Sequence, residues 1–283
     1  MNFQGKILIV GGYGAVGKII STTLGSLFPK KVIVAGRNYL KAKNLSTELN
    51  DKRLDDISLV IMCIDQENIT FITQCIERSI NYIDITANYK FLSKIETLDE
   101  LAKKNNSTVI LSVGLAPGLT NLLAKRSSEN VKNIQFSNIY ILLGLGEKHG
   151  DAAYRWTFND FNDEFTVNEN GKKIRVKSFE DSKQTLFPEK IGKRTAYRSN
   201  FSDQHVIPKT LNIKSVSTRI CFDSTFMTKF YALIKKSFVR KLFKIKSVQN
   251  KLIKTFKIFK FGSDQFALKV DSGINQDEGL LFE

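Results

Sequence analysis

Lys6-Ile7-Leu8-Ile9-Val10, followed by Gly11-Gly12-Tyr13-Gly14-Ala15-Val16-Gly17, joins a short apolar run to a glycine-rich loop near the start of the 283-residue chain. A run of this kind bounded by glycines is the pattern of a strand buried on both faces. Gly12, Gly14 and Gly17 have the spacing G-x-G-x-x-G, and Gly14 to Phe28 reads as a helix with Val16, Ile19, Ile20, Leu24 and Leu27 on one stripe. A strand, a glycine turn and a helix in that order place free backbone N–H groups and the positive end of the helix where a pyrophosphate can approach the backbone. Gly12, Tyr13, Gly14, Ala15, Val16 and Gly17 are therefore the expected cofactor contacts.

Lys31–Ala35 reads as a second buried strand, and Gly36-Arg37-Asn38 follows it. An NAD site places Asp or Glu there to accept from the ribose 2′-hydroxyl; here no carboxylate would repel a 2′-phosphate, and Arg37 can pair with one. Arg37 and Asn38 thus point to NADP. Further along, strands at Ser58–Ile64, Tyr82–Thr86 and Thr108–Val113 alternate with helices at Tyr39–Leu49, Asn68–Arg78 and Phe91–Lys104. This β-α alternation predicts an α/β protein with a Rossmann-type, doubly wound parallel sheet. The pattern changes after Gly118: a helix over Leu119–Ser127, a strand over Ile134–Leu143, a helix over Asp151–Phe161 and a hairpin over Glu164–Phe179 turning at Asn170-Gly171. Ser215–Phe222 alternates like a strand with one wet face, and Thr225–Lys260 is helical and basic. The expected division is a dinucleotide-binding domain over 1–120 and a second, α+β substrate-binding and dimerisation domain over 121–283.

With these residues in hand the chain resembles the saccharopine dehydrogenase/reductase-like oxidoreductases. The glycine loop, Gly36-Arg37-Asn38, Tyr82-Ile83-Asp84-Ile85-Thr86 and Gly114-Leu115-Ala116-Pro117-Gly118-Leu119 carry the resemblance. Gly144-Leu145-Gly146-Glu147-Lys148-His149-Gly150 and Phe222-Asp223-Ser224 add to it. It implies a nicotinamide dinucleotide, NADP on the reading of Arg37, and hydride transfer to or from the C–N bond of an amino-acid-like substrate by a homodimer. Two departures stand out. Only Asn50 to Ile57 separates the second helix from the strand at Ser58, too few residues for a strand and a parallel crossover, so the third strand is expected to be missing. Relatives also commonly continue with further helix beyond the position of Gly273. The alternatives are an NADP-binding protein without turnover and a reductase of lipid-like substrates at a membrane surface.

Ligands of such sheets bind beyond the carboxyl ends of the strands, so Ile64, Asp65, Gly114 and Pro117 are expected beside the cofactor. His149, His205 (with Asp203 two residues before it) and Asp84 are the candidate acid/base groups, with Tyr89 a further proton carrier. Arg219 is the candidate clamp for a substrate carboxylate, as is Arg198 beside Tyr197. Asp84 has a plainer reading as a residue that orients the following turn, and Trp156 reads as core.

Lys and Arg number 43 against 28 Asp and Glu, a formal charge of +15. Eleven of the basic residues lie between Ser224 and Ser263, a stretch without Asp or Glu that also holds eight Phe and Tyr. The expectation is helices packing an apolar face on the sheet with their lysines in water. A membrane-surface contact over residues 229–261 is next in order, and a nucleic-acid contact is disfavoured. Cys63, Cys75 and Cys221 have no metal-ligand or disulfide spacing. No apolar run approaches the roughly 20 residues of a membrane span. A cytoplasmic protein without a metal is expected.

Overall fold

The structure is a computed structural model that describes residues 4–38, 45, 56–131, 133–146, 154–155, 157–158, 164–188, 190–236, 242, 245–258, 262–274 and 280–282. The helix expected at Tyr39–Leu49 and most of that at Asp151–Phe161 lie outside these residues, as do His149 and Trp156. The chain divides into two compact units, Met1–Gly114 and Leu115–Glu283.

In the first unit β1 (Lys6–Val10), α1 (Ala15–Leu27), β2 (Val32–Ala35), β3 (Ile57–Met62), α2 (Thr70–Glu77), β4 (Asn81–Asp84), α3 (Tyr89–Glu96), α4 (Asp99–Lys104) and β5 (Val109–Ile110) follow in order. The five strands form one parallel sheet in the order β2-β1-β3-β4-β5. Alternation along β1 and its neighbours sends side chains to both faces, and helices cover both. Ile7, Ile9, Val32 and Ile61 meet Ile20, Leu24 and Phe28 on the α1 side. Val60, Met62 and Tyr82 pack with Ile72, Ile76, Phe91, Leu92 and Ile95 on the other. This is the Rossmann-type, doubly wound arrangement. Among the described residues β2 pairs with β1 alone and is a sheet edge.

Two local expectations need correction. Gly17 and Ser21 are the buried residues of α1, whereas Val16, Ile19 and Leu27 are 51%, 68% and 65% exposed. Close seating of Gly17 on the glycine turn fixes the rotation of the helix, so Ile20 and Leu24 face the sheet. The single helix expected over Phe91–Lys104 is two, because Thr97 Oγ1 donates to the Lys94 carbonyl and Leu98 N–H to that of Ile95, closing the first helix.

The second unit begins with an irregular turn at Leu115–Leu119. It continues through α5 (Thr120–Asn130), β6 (Phe136–Leu143), β7 (Glu164–Glu169), β8 (Lys172–Lys177), β9 (Lys183–Leu186) and β10 (Lys193–Arg198). Then come α6 (Asp203–Thr210), β11 (Ser215–Phe222), α7 (Thr225–Lys236), α8 (Lys246–Ile258), β12 (Ala267–Gly273) and β13 (Leu280–Phe282). Six strands form a mixed sheet in the order β13-β12-β6-β11-β10-β9, with β6 and β11 parallel, and β7-β8 is a separate hairpin. Its turn residues Asn170 and Gly171 have φ of 52° and 73°, the pair of positive values a two-residue hairpin turn requires. The expected wet face of β11 is absent: all eight residues are buried. The basic stretch Thr225–Lys260 contains α7 and α8.

Candidate functional site

β1 runs into a turn in which Gly11 takes φ 81°, donates its N–H to Ala35 and accepts at its carbonyl from Gly14 N–H at 2.8 Å. The helix then starts so close to this turn that a Cβ on Gly17 would overlap the Gly11 carbonyl oxygen and lie 2.8 Å from Gly12 Cα. Ser21 Oγ reaches back to the Gly12 carbonyl at 3.0 Å and pins the loop from below. The first turn of α1 has no acidic residue, and its cap residue Gly14 makes no side-chain cap bond. This end of the helix is open to an anion on charge and on hydrogen bonding.

Two walls flank the turn. On the β2 side the Tyr13 ring lies over Gly36, so near that a Cβ there would come 2.5 Å from Cζ and 2.6 Å from Oη. Tyr13 Oη accepts the Asn38 backbone N–H at 2.6 Å. Arg37 sits between these two contacts and is exposed. On the β3 side Ile64, 46% exposed, stands against Gly11, where a Cβ would meet its Cγ2 at 2.5 Å. Gly12, Tyr13, Gly14, Ala15, Val16, Gly17, Arg37, Asn38 and Ile64 are thus drawn together at the carboxyl ends of β1, β2 and β3, with Asp65 exposed beside Ile64. The shape fits a dinucleotide: a glycine turn on which the missing Cβ at Gly17 lets the start of α1 seat closely, and a cationic side chain at the β2 end. Gly11, whose left-handed φ makes the turn, precedes the motif as read; the Gly11-Gly12 pair at a strand end was its sequence signal.

Asp84, at the end of β4, is 1% exposed and its oxygens are committed. Oδ1 accepts from Thr86 N–H at 2.7 Å; Oδ2 accepts from Tyr82 Oη at 3.0 Å and Gln66 Nε2 at 3.2 Å. Burial raises its pKa, against the pull of the Thr86 N–H, Tyr82 and Gln66. Burial, and next the Asp84 charge, pushes the Cys63 thiol up to about 11. A carboxylate so enclosed orients the turns after β3 and β4, which matches the plainer of its two sequence readings and not an exposed proton carrier. Gln66, which no motif marked, is the third member of this network. Tyr89 instead reaches Glu96 at 3.3 Å.

In the second unit the Arg219 guanidinium is 0% exposed. Nε donates to the Asp181 carbonyl at 3.0 Å, one terminal nitrogen pairs with Asp181 Oδ2 at 2.6 Å, and the other bonds Ser217 Oγ. Arg198 holds the same Asp181 oxygen at 2.5 Å and Glu169 at 3.1 Å. Burial pushes the Asp181 pKa up, but the two guanidinium groups outweigh it and hold the carboxyl below its ordinary value. The expected substrate clamp is therefore corrected: Arg219 and Arg198 are braced internally, and their partner Asp181 sits in a loop without periodic signal.

His205, in α6, meets Asn200 Oδ1 at 2.7 Å through Nε2 and Phe165 edge-on at 6.2 Å. Asp203 serves Thr218, at 2.5 Å, and the Gln204 N–H. Thr218 and Arg219 are successive on β11 and point to opposite faces of the sheet. The helix carrying His205 packs on the Thr218 side, so His205 and Arg219 are not brought together. Gly114 is exposed at the end of the first unit and Pro117 is buried in the turn that opens the second. The N–H of the neighbouring Gly118 donates to Asn121 Oδ1 at 3.2 Å. Among the described residues no cluster of His, Cys, Asp or Glu could hold a metal ion.

No family model matches the sequence, and no curated protein is significantly similar to it. Solved structures with a similar course of chain include GenD2 from gentamicin A biosynthesis in complex with NAD, at 12% identity and TM-score 0.47 over 100% of this chain and 73% of that one. A myo-inositol dehydrogenase from Corynebacterium glutamicum matches at 9% and 0.48 over 99% and 75%. Amine dehydrogenase from Mycobacterium smegmatis matches at 10% and 0.46 over 99% and 86%. Likeness this distant carries no argument about activity, and the chemistry rests on the geometry above.

Proposed function

We propose that the chain is an NADP-dependent oxidoreductase of the saccharopine dehydrogenase-like type, acting as a homodimer on the C–N bond of an amino-acid-like substrate. The observation that carries the cofactor is the end of β2: Arg37 exposed beside the glycine turn, with no carboxylate on Gly36-Arg37-Asn38; the substrate class and the homodimer rest on the resemblance of the motifs. The turn and the first N–H groups of α1 would hold the pyrophosphate, Arg37 the 2′-phosphate by charge-assisted hydrogen bonds, and Tyr13 the ribose side. Ile64 would lie against the cofactor on the β3 side. The bound nicotinamide supplies the hydride chemistry. The protein's part is to bind, orient and exclude water.

Fluorescence titration tests the reading. NADPH should bind at least about tenfold tighter than NADH, and Arg37→Ser should erase the difference; tighter NADH binding rejects the NADP assignment. NADPH consumption with amine–carbonyl pairs then tests turnover. The alternative, a dinucleotide-binding protein without turnover, is favoured by the internal commitment of Asp84, Arg198 and Arg219, and silence across a broad substrate panel would select it.

A further inference from the structure

α7 is amphipathic in an unusual way. Its inner side, Thr228, Tyr231 and Ala232, is buried, and Tyr231 joins a group of rings with Phe222 at 5.1 Å and Phe179 at 6.1 Å. Its outer side has a second apolar stripe: Phe226, Phe230 and Leu233, at i, i+4 and i+7, are 74%, 44% and 68% exposed. Phe226 and Phe230 stack on each other at 6.1 Å and 12°. Leu242 and Ile245 are also exposed, at 45% and 47%. α8 is tied to α7 through Ile234, Leu252 and Ile253 around Phe158, and it turns Lys246, Lys251 and Lys254 outward.

Packing on the sheet accounts for the inner side of α7 and leaves the outer stripe unexplained. We propose that this stripe and the exposed Lys229, Lys246, Lys251 and Lys254 form a docking surface for an anionic lipid bilayer. Rings and branched aliphatic chains would enter the headgroup boundary while cations meet lipid phosphates and carboxylates. Charge selects this occupant: residues 225–262 hold eleven Lys and Arg and no acid, so a second copy of the same surface would be repelled. A nucleic-acid platform needs free ring faces, but Phe226 and Phe230 face each other, and Leu233, Leu242 and Ile245 have none.

The full chain is sedimented with vesicles of phosphatidylcholine alone or with about a third phosphatidylserine. Binding is expected to the anionic vesicles only and to fall in about 0.5 M salt. The Phe226→Ser/Phe230→Ser variant should bind roughly tenfold more weakly, as should Lys251→Gln/Lys254→Gln. Circular dichroism should match the wild type, since these side chains are exposed. Phe226→Trp should add a blue-shifted emission on anionic vesicles relative to wild type. Adsorption with no blue shift and no loss in the serine variant would overturn the proposal in favour of general charge attraction. So would protein left in the supernatant, a dimer in sedimentation velocity that the serine variant dissociates, or oligonucleotide binding that depends on the two Phe while vesicle binding does not.

Discussion

At Gly17 the backbone of Gly11 and Gly12, not a movable side chain, occupies the space a Cβ would need. Gly17→Ala must push α1 from the turn, and the expected outcome is at least a tenfold loss of NADPH affinity by fluorescence titration, on the order of 1.4 kcal/mol or more. Tyr13→Phe removes one hydrogen bond, to the Asn38 N–H, and keeps the ring over Gly36. A loss of about 0.5–1.5 kcal/mol in urea unfolding is expected. The glycine spacing and Arg37 were legible because they are local chemistry. The position of Ile64 against Gly11 was expected only in outline, since it needs β3 paired beside β1.

Among the elements, α6 and β11 hold a buried acid whose protonation is linked to folding. Burial pushes Asp203 up to about 6 from 3.8, against the hydrogen bonds of Thr218, the Gln204 N–H and Thr120. The folded state then binds more protons than the unfolded one between these values, so stability falls as pH rises from about 4 to 6 and stays reduced above. Asp203→Asn should escape this loss, gaining up to about 3 kcal/mol on the wild type across that window in urea melts at stepped pH. On the opposite face, Asp181→Ala strands Arg219 in a fully buried position. A cost of about 2–3 kcal/mol is expected, below the range for fully buried pairs because Asp181 is half exposed; Asp181→Ala/Arg219→Met should lose less. Periodicity found β11 but assigned it a wet face, since the Asp181 brace comes from a loop with no period to read.

At the scale of the molecule, the Rossmann-type unit should couple its stability to ligand. NADPH at about 100 times its Kd is expected to add about 2.7 kcal/mol, seen as a rise in Tm that NADH at the same concentration does not match. Among the described residues no helix is long and apolar enough to cross a membrane.

The sequence by itself determined the strand–glycine turn–helix, the alternation that builds a parallel sheet and the replacement of an acid by Arg37. Each follows from neighbours within a few residues or from the period of an element. Only the tertiary structure decided that Asp84, Arg198 and Arg219 are spent on internal partners, that His205 lies across a sheet from Arg219, and that α7 has a second apolar side in water. Those outcomes depend on which residues distant in the chain reach the same place, and on whether a polar group taken from water finds its partner there.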